Sequence, residues 1–94
     1  MERRTIEAQF KKKLKLRKDK GSKHRLYYVS DGKQDITRTQ ISRTHKEISD
    51  TILREIADQL FLSMGELKDV INCPMTKEEF YSVVIKRWRE KYSS

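Results

Sequence analysis

Apolar residues recur at fixed intervals along most of the chain, and the interval changes from segment to segment. Ile6, Phe10 and Leu14 stand four apart with polar residues between them, which predicts a helix over Glu2 to about Leu14 with one narrow apolar stripe. Thr5 is a candidate cap for a slightly shorter version of it. Leu16–Lys18 predicts a short strand and Gly21-Ser22 a turn. His24–Ser30 then has the aromatic and β-branched bias of a strand. Asp31-Gly32 predicts a two-residue type I′ hairpin, whose central residues need positive φ. Closing there pairs Ser30 with Lys33, Tyr27 with Ile36, Leu26 with Thr37 and Arg25 with Arg38. One face then carries Arg25, Tyr27, Val29, Ile36 and Arg38, and the other His24, Leu26, Tyr28, Thr37 and Thr39. The pattern leaves open which face meets the helices.

Beyond a polar loop, Ser42–Glu47, the period returns to that of a helix. Ile52, Leu53, Ile56, Ala57 and Leu60 form the clearest amphipathic stripe in the chain, over roughly Asp50–Leu60, with Ser49 or Asp50 as cap. Ser63 and Glu66 make a capping box that opens a further helix with Leu67, Val70 and Ile71 inward, and Cys73-Pro74 ends it. Thr76 and Glu79 make a second box, followed by Phe80, Val83, Val84, Arg87 and Trp88 at helical spacing. The order α-β-β-β-α-α-α predicts an α+β fold, a small three-stranded antiparallel sheet packed by helices. At 94 residues a single domain is expected.

Composition narrows the field. Hydrophobic residues are 35% and charged residues 38%, a polar balance, yet the periodicity argues against disorder. The longest apolar run, Leu26–Val29, falls far short of the roughly 20 residues of a membrane span. MERRTIEAQF has no apolar stretch behind its arginines, so a signal peptide is not expected. A lone Cys73, without CxxC or HxxxH spacing, points to a reducing compartment and no metal. Charge is segregated. Residues 1–25 hold eleven Lys or Arg against three acids, a net of +8, whereas residues 26–94 hold eleven of each. Such concentration implies a polyanionic partner, with a merely solvated lysine-rich face as the plain alternative. Lys11, Lys12 and Lys13 suit either a helix C-terminus or phosphate.

Several segments together resemble the HicA-type mRNA interferase toxins. The turn KGSKH, a tyrosine-bearing strand, the DGK hairpin, a Thr/Arg strand and THKEISDTILREIADQLFLS carry the resemblance, over about residues 5–62. Gly21, Ser22 and His24 match a Gly-Ser-His motif, with Lys23 intervening so that the histidine falls one position later. His45, Lys46, Glu47 and Ile48 match the segment leading into the second helix. The resemblance implies a double-stranded-RNA-binding-like α-β-β-β-α core over residues 1–62, with residues 63–94 as a helical extension. It also implies a cytoplasmic ribonuclease of a toxin–antitoxin pair, acting on mRNA and restrained by an antitoxin protein.

Cutting RNA without a metal requires removal of the 2′-hydroxyl proton and stabilisation of charge on the phosphorane. Histidine suits the first because it titrates near neutrality, and cations suit the second. His24 is therefore the candidate catalytic residue, with a strand-end histidine that only touches backbone or phosphate as the alternative. Lys18, Lys20, Ser22, Lys23, Arg25, Arg38, Arg43 and Lys46 are the candidate RNA-binding residues. His45 is a second candidate acid or base. Arg38 could instead pair with Asp35 or Glu47, and Tyr27 and Tyr28 could stack on unpaired bases or pack in the core. No cofactor is expected. No Ser-His-Asp set, phosphate loop, zinc spacing or paired-carboxylate motif supports another enzyme class. Two rivals stand beside the ribonuclease: a non-catalytic nucleic-acid-binding module, and an interaction domain with a basic arm and a homo-oligomer interface on the C-terminal helix, where Tyr81 and Trp88 lie.

Overall fold

The computed structural model describes residues 1–20, 24–42, 46–72 and 74–92. Helix α1, Arg3–Ala8, runs directly into a wider π-helical turn, Gln9–Lys13, so the helix expected to Leu14 is not α-helical throughout. The Leu14 amide donates to the Gln9 carbonyl, five residues back, at 2.9 Å. The apolar stripe explains the widening. Side chains four apart drift forward around an α-helix of about 3.6 residues per turn and backward around a π turn, which holds more. Switching from one to the other keeps Ile6, Phe10 and Leu14 in line, and all three are fully buried. Lys15, with a left-handed φ of 52°, ends the element.

Strands β1 (Arg17–Lys20), β2 (His24–Ser30) and β3 (Asp35–Ser42) form an antiparallel sheet in the order β1-β2-β3. Strand β1 begins after Leu16, which is buried in the core instead. The hairpin departs from the two-residue turn. The Asp31 carboxylate accepts from the amides of Lys33 (2.9 Å) and Gln34 (3.0 Å), and the Asp31 amide donates to the Gln34 carbonyl at 3.1 Å. Those bonds hold a longer loop, because an aspartate side chain can mimic a backbone turn. Gly32, at φ +95°, has open space around it, so it is needed for its backbone angle alone.

The longer loop moves the register. Tyr27 lies opposite Thr39 rather than Ile36, Leu26 opposite Gln40 and Arg25 opposite Ile41. A shift of three residues is odd, so β3 presents the opposite set of side chains to each face from the one expected. Thr37, Thr39 and Ile41 turn inward with Tyr27 and Val29; Arg38 turns outward with Tyr28. Between the pairs Val29–Thr37 and Ser30–Asp35 the ladder slips, leaving Ile36 as the extra residue. Ile36 and Ile41 are an odd number apart and could not share a face of a regular strand. With the slip, Ile41 is buried and Ile36 packs partly against the same core.

Helices α2 (Asp50–Gln59), α3 (Met64–Ile71) and α4 (Lys77–Tyr92) follow. Ser49 caps α2 by accepting from the Ile52 amide, and Ser63 and Glu66 form the full capping box on α3. At Thr76 the hydroxyl accepts from the Glu79 amide (3.1 Å) but itself donates to the Glu79 carboxylate, a variant of the expected box. The molecule is an α+β domain with one core, in which the inner sheet face meets apolar residues from all four helices. Among the described residues no helix is long and apolar enough to cross a membrane.

Candidate nucleic-acid interface

Strand β2 carries apolar or aromatic side chains on both faces, and the register decides what accompanies each. Three rows run across the outer face: Arg17, Tyr28 and Arg38; then Asp19, Leu26 and Gln40; then His24 and Ser42. None of these side chains is buried, and His24, Arg38 and Gln40 are exposed. Along β3 the outer face meets α2 in two shallow grooves. One, of about 240 Å³, is lined by His24, Gln40, Ser42, Ile52, Glu55 and Gln59. The other, of about 220 Å³, is lined by Leu26, Arg38, Thr39, Gln40 and Gln59. Gln40 and Gln59 line both, so the two grooves adjoin and make a trough in two parts, with Arg38 in one and His24 in the other. Thr37 and Thr39 hold the end of α2 at this edge by donating to the backbone and side-chain oxygens of Gln59.

The inner face is built around a buried acid. Glu7 accepts from the Tyr27 hydroxyl (2.6 Å) and from the Arg25 guanidinium (3.1 Å to each oxygen), and Arg3 lies 3.3 Å away. Burial pulls the Glu7 carboxyl upward, but the bonds from Tyr27 and Arg25 outweigh it and hold its pKa below the ordinary value. Burial, then Glu7, pushes the Tyr27 hydroxyl up, so it stays a donor at any physiological pH. Tyr27 also packs edge-on against Phe10, with ring centroids 5.3 Å apart. Tyr27 is therefore a core residue, and only Tyr28 stands where a base could reach it.

The structure divides the residues singled out in the sequence. His24 and Arg38 share the outer trough. Among the described residues no carboxylate pairs with Arg38: Asp35 pairs with Arg17, and Glu47 with the amino group of Met1. Arg25 points the other way, to Glu7. Lys18 is half-buried on that same inner side, where the adjacent Lys11 ammonium pushes its pKa down. Lys13 donates to the Val70 carbonyl in the last turn of α3 (2.9 Å), so it serves a helix terminus, though not its own. Lys46 is exposed and lines a separate hollow of about 500 Å³ with Glu2, Arg3, Arg4 and Glu47, none of which lines the trough. The backbone of Lys20 closes β1 opposite Arg25. Ser22, Lys23, Arg43 and His45, with the Lys20 side chain, lie outside the described residues.

Sequence reasoning missed Glu7, Arg17, Glu55 and Gln59. Glu7 adjoins the Ile6–Phe10 stripe, a position where an acid must be paired if it is buried, and that was a usable signal. Glu55 and Gln59 sit four apart on one side of α2, but nothing local ties that side to His24. Among the described residues no three His, Cys, Asp or Glu side chains gather as a metal-binding group. Compared with protein-family models, curated proteins and solved structures, the chain matches none.

Proposed function

We propose that the chain is a HicA-like RNA-binding protein that cuts mRNA without a metal ion in the cytoplasm and is restrained by an antitoxin protein. The observation that carries this reading is that His24, exposed at the first position of β2, shares a groove with the Glu55 carboxylate at one end of the trough that Arg38 lines at the other. In this scheme the imidazole takes the ribose 2′-hydroxyl proton and the freed oxygen bonds to the adjacent phosphorus. The bond from phosphorus to the 5′-oxygen breaks, and that oxygen takes its proton back from the imidazolium. The products are a 2′,3′-cyclic phosphate and a 5′-hydroxyl. Arg38 meets a backbone phosphate further along the trough.

Cleavage and binding of a labelled single-stranded RNA by His24→Ala test the assignment. Cleavage is expected to fall at least about 100-fold, the size of a general acid–base contribution, with binding nearly unchanged. Equal cleavage by the variant removes His24 from the reaction. A second reading, a nucleic-acid-binding module without chemistry, is favoured by Arg25 being drawn to Glu7 and away from His24. It predicts RNA affinity that falls steeply with salt and no cleavage by either protein.

A further inference from the structure

The row at the far end of the trough from His24 has a composition of its own. Arg17, Tyr28 and Arg38 are direct cross-strand neighbours on three successive strands. The Arg17 guanidinium lies over the Tyr28 ring, 4.2 Å from its centroid, and also pairs with the Asp35 carboxylate. An exposed arginine ordinarily samples many rotamers. This one is held by a ring beneath and a carboxylate at its edge, while 58% of its side chain remains exposed. A flat cation fixed in this way is a platform on which another flat π system can lie. Arg38, on the other side of Tyr28, is exposed and without a described carboxylate partner, so its charge is available to a phosphate attached to whatever lies there.

We infer that the Arg17–Tyr28–Arg38 row is a subsite for one unpaired base of the RNA, so that the protein selects single-stranded over duplex substrate. This rests on the RNA-binding reading above and adds what the bound strand must look like. In a duplex the faces of the bases are covered by their neighbours, and only edges and phosphates reach an open sheet. An unpaired base can lay its face on a guanidinium or tyrosine and leave its phosphate to Arg38. Geometry also fixes where the subsite lies relative to the reaction. Tyr28 and His24 are four residues apart on one face of β2, about 13 Å at the rise of a strand. Nucleic-acid backbone advances about 3.4 Å per nucleotide when stacked and up to roughly twice that when extended, so the stacked base is about two to four nucleotides from the bond that His24 attends.

The deciding variant is Arg17→Lys, which keeps the charge and the Asp35 pair but removes the planar group. Fluorescence anisotropy with a labelled single-stranded RNA of about twelve nucleotides, and with the same sequence as a duplex, reads the effect; circular dichroism checks the fold. Arg17→Lys is expected to weaken single-strand binding about tenfold, and the wild-type protein to bind the duplex more weakly than the single strand. A single abasic nucleotide moved along the strand is expected to weaken binding most at one position, two to four nucleotides from the cleaved bond. If the wild-type protein binds RNA but Arg17→Lys binds as tightly, or the duplex binds as well as the single strand, the subsite is wrong and the RNA-binding reading survives. If the wild-type protein binds no RNA at low salt, both fall together.

Discussion

Replacing Glu7 by glutamine keeps the size of the side chain and removes the charge on which Arg25, Arg3 and the Tyr27 hydroxyl converge. An acid so buried is tolerable only because each oxygen is bonded, and the guanidiniums lose their counter-charge with it. Glu7→Gln is expected to lower unfolding free energy by about 3 kcal/mol in a urea titration. A change within about 0.5 kcal/mol, the level of ordinary surface substitutions, would mean the network adds nothing. A second acid sets the acid limb of stability. The Arg87 guanidinium, then the Ser63 amide, hold the Glu66 carboxyl down to about 2, and Arg87 reaches both its oxygens at 2.6 and 2.8 Å. Its folded pKa lies below its unfolded one, so its stabilisation is fully present above about pH 4.5 and is lost as pH falls toward about 2. Glu7 acts with the same sign. Across that window Glu66→Gln should show a shallower fall of stability with pH than the parent, and parallel curves would refute the linkage.

The first helix shows how an element can be found by its pattern and still have its path misread. Ile6, Phe10 and Leu14 place the element correctly, but their spacing fits a helix that widens at Gln9–Lys13 and stops at a left-handed Lys15. That conformation costs an L-residue about 1–2 kcal/mol, and glycine about none. Lys15 is exposed, so Lys15→Gly is expected to stabilise the domain by about 0.5–1 kcal/mol after the greater freedom of glycine in the unfolded chain is counted. A lower midpoint in urea would show that the backbone there is unstrained. Helices α2, α3 and α4 were legible because their stripes and caps at Ser49 and Ser63 are decided within four residues. The sheet was legible as three strands but not in register. Asp31 draws two amides into its side chain where Asp-Gly alone suggests a tighter turn, and β2 has apolar residues on both faces, so nothing local corrects the error. The site inherits this. His24 could be named from its type and neighbours, whereas the Arg17–Tyr28–Arg38 row needs both strand pairings, and Glu55 needs α2 docked against β3.

At the scale of the whole molecule, the sequence suggests that an extension begins near residue 63, yet the core does not end there. Leu67, Val70, Ile71, Phe80 and Val84 are buried in the same cluster as Phe10, Leu14, Tyr27 and Val29. Polar bonds cross the same boundary: Lys13 to the Val70 carbonyl, and the Tyr81 hydroxyl to the Leu14 carbonyl, each at 2.9 Å. Burial of five such side chains is worth about 10 kcal/mol at about 1.5–3 kcal/mol each. That is comparable to the entire net stability of a domain, about 5–15 kcal/mol. Residues 63–94 are thus part of what holds the sheet in shape, and with it the spacing between His24 and the Arg17–Tyr28–Arg38 row. A chain ending at Leu62 is expected to show no cooperative thermal transition and poorly dispersed amide resonances. A sharp transition and a dispersed spectrum from that fragment would instead make the last two helices an appendage, and leave their packing against Phe10 and Leu14 without a stabilising role.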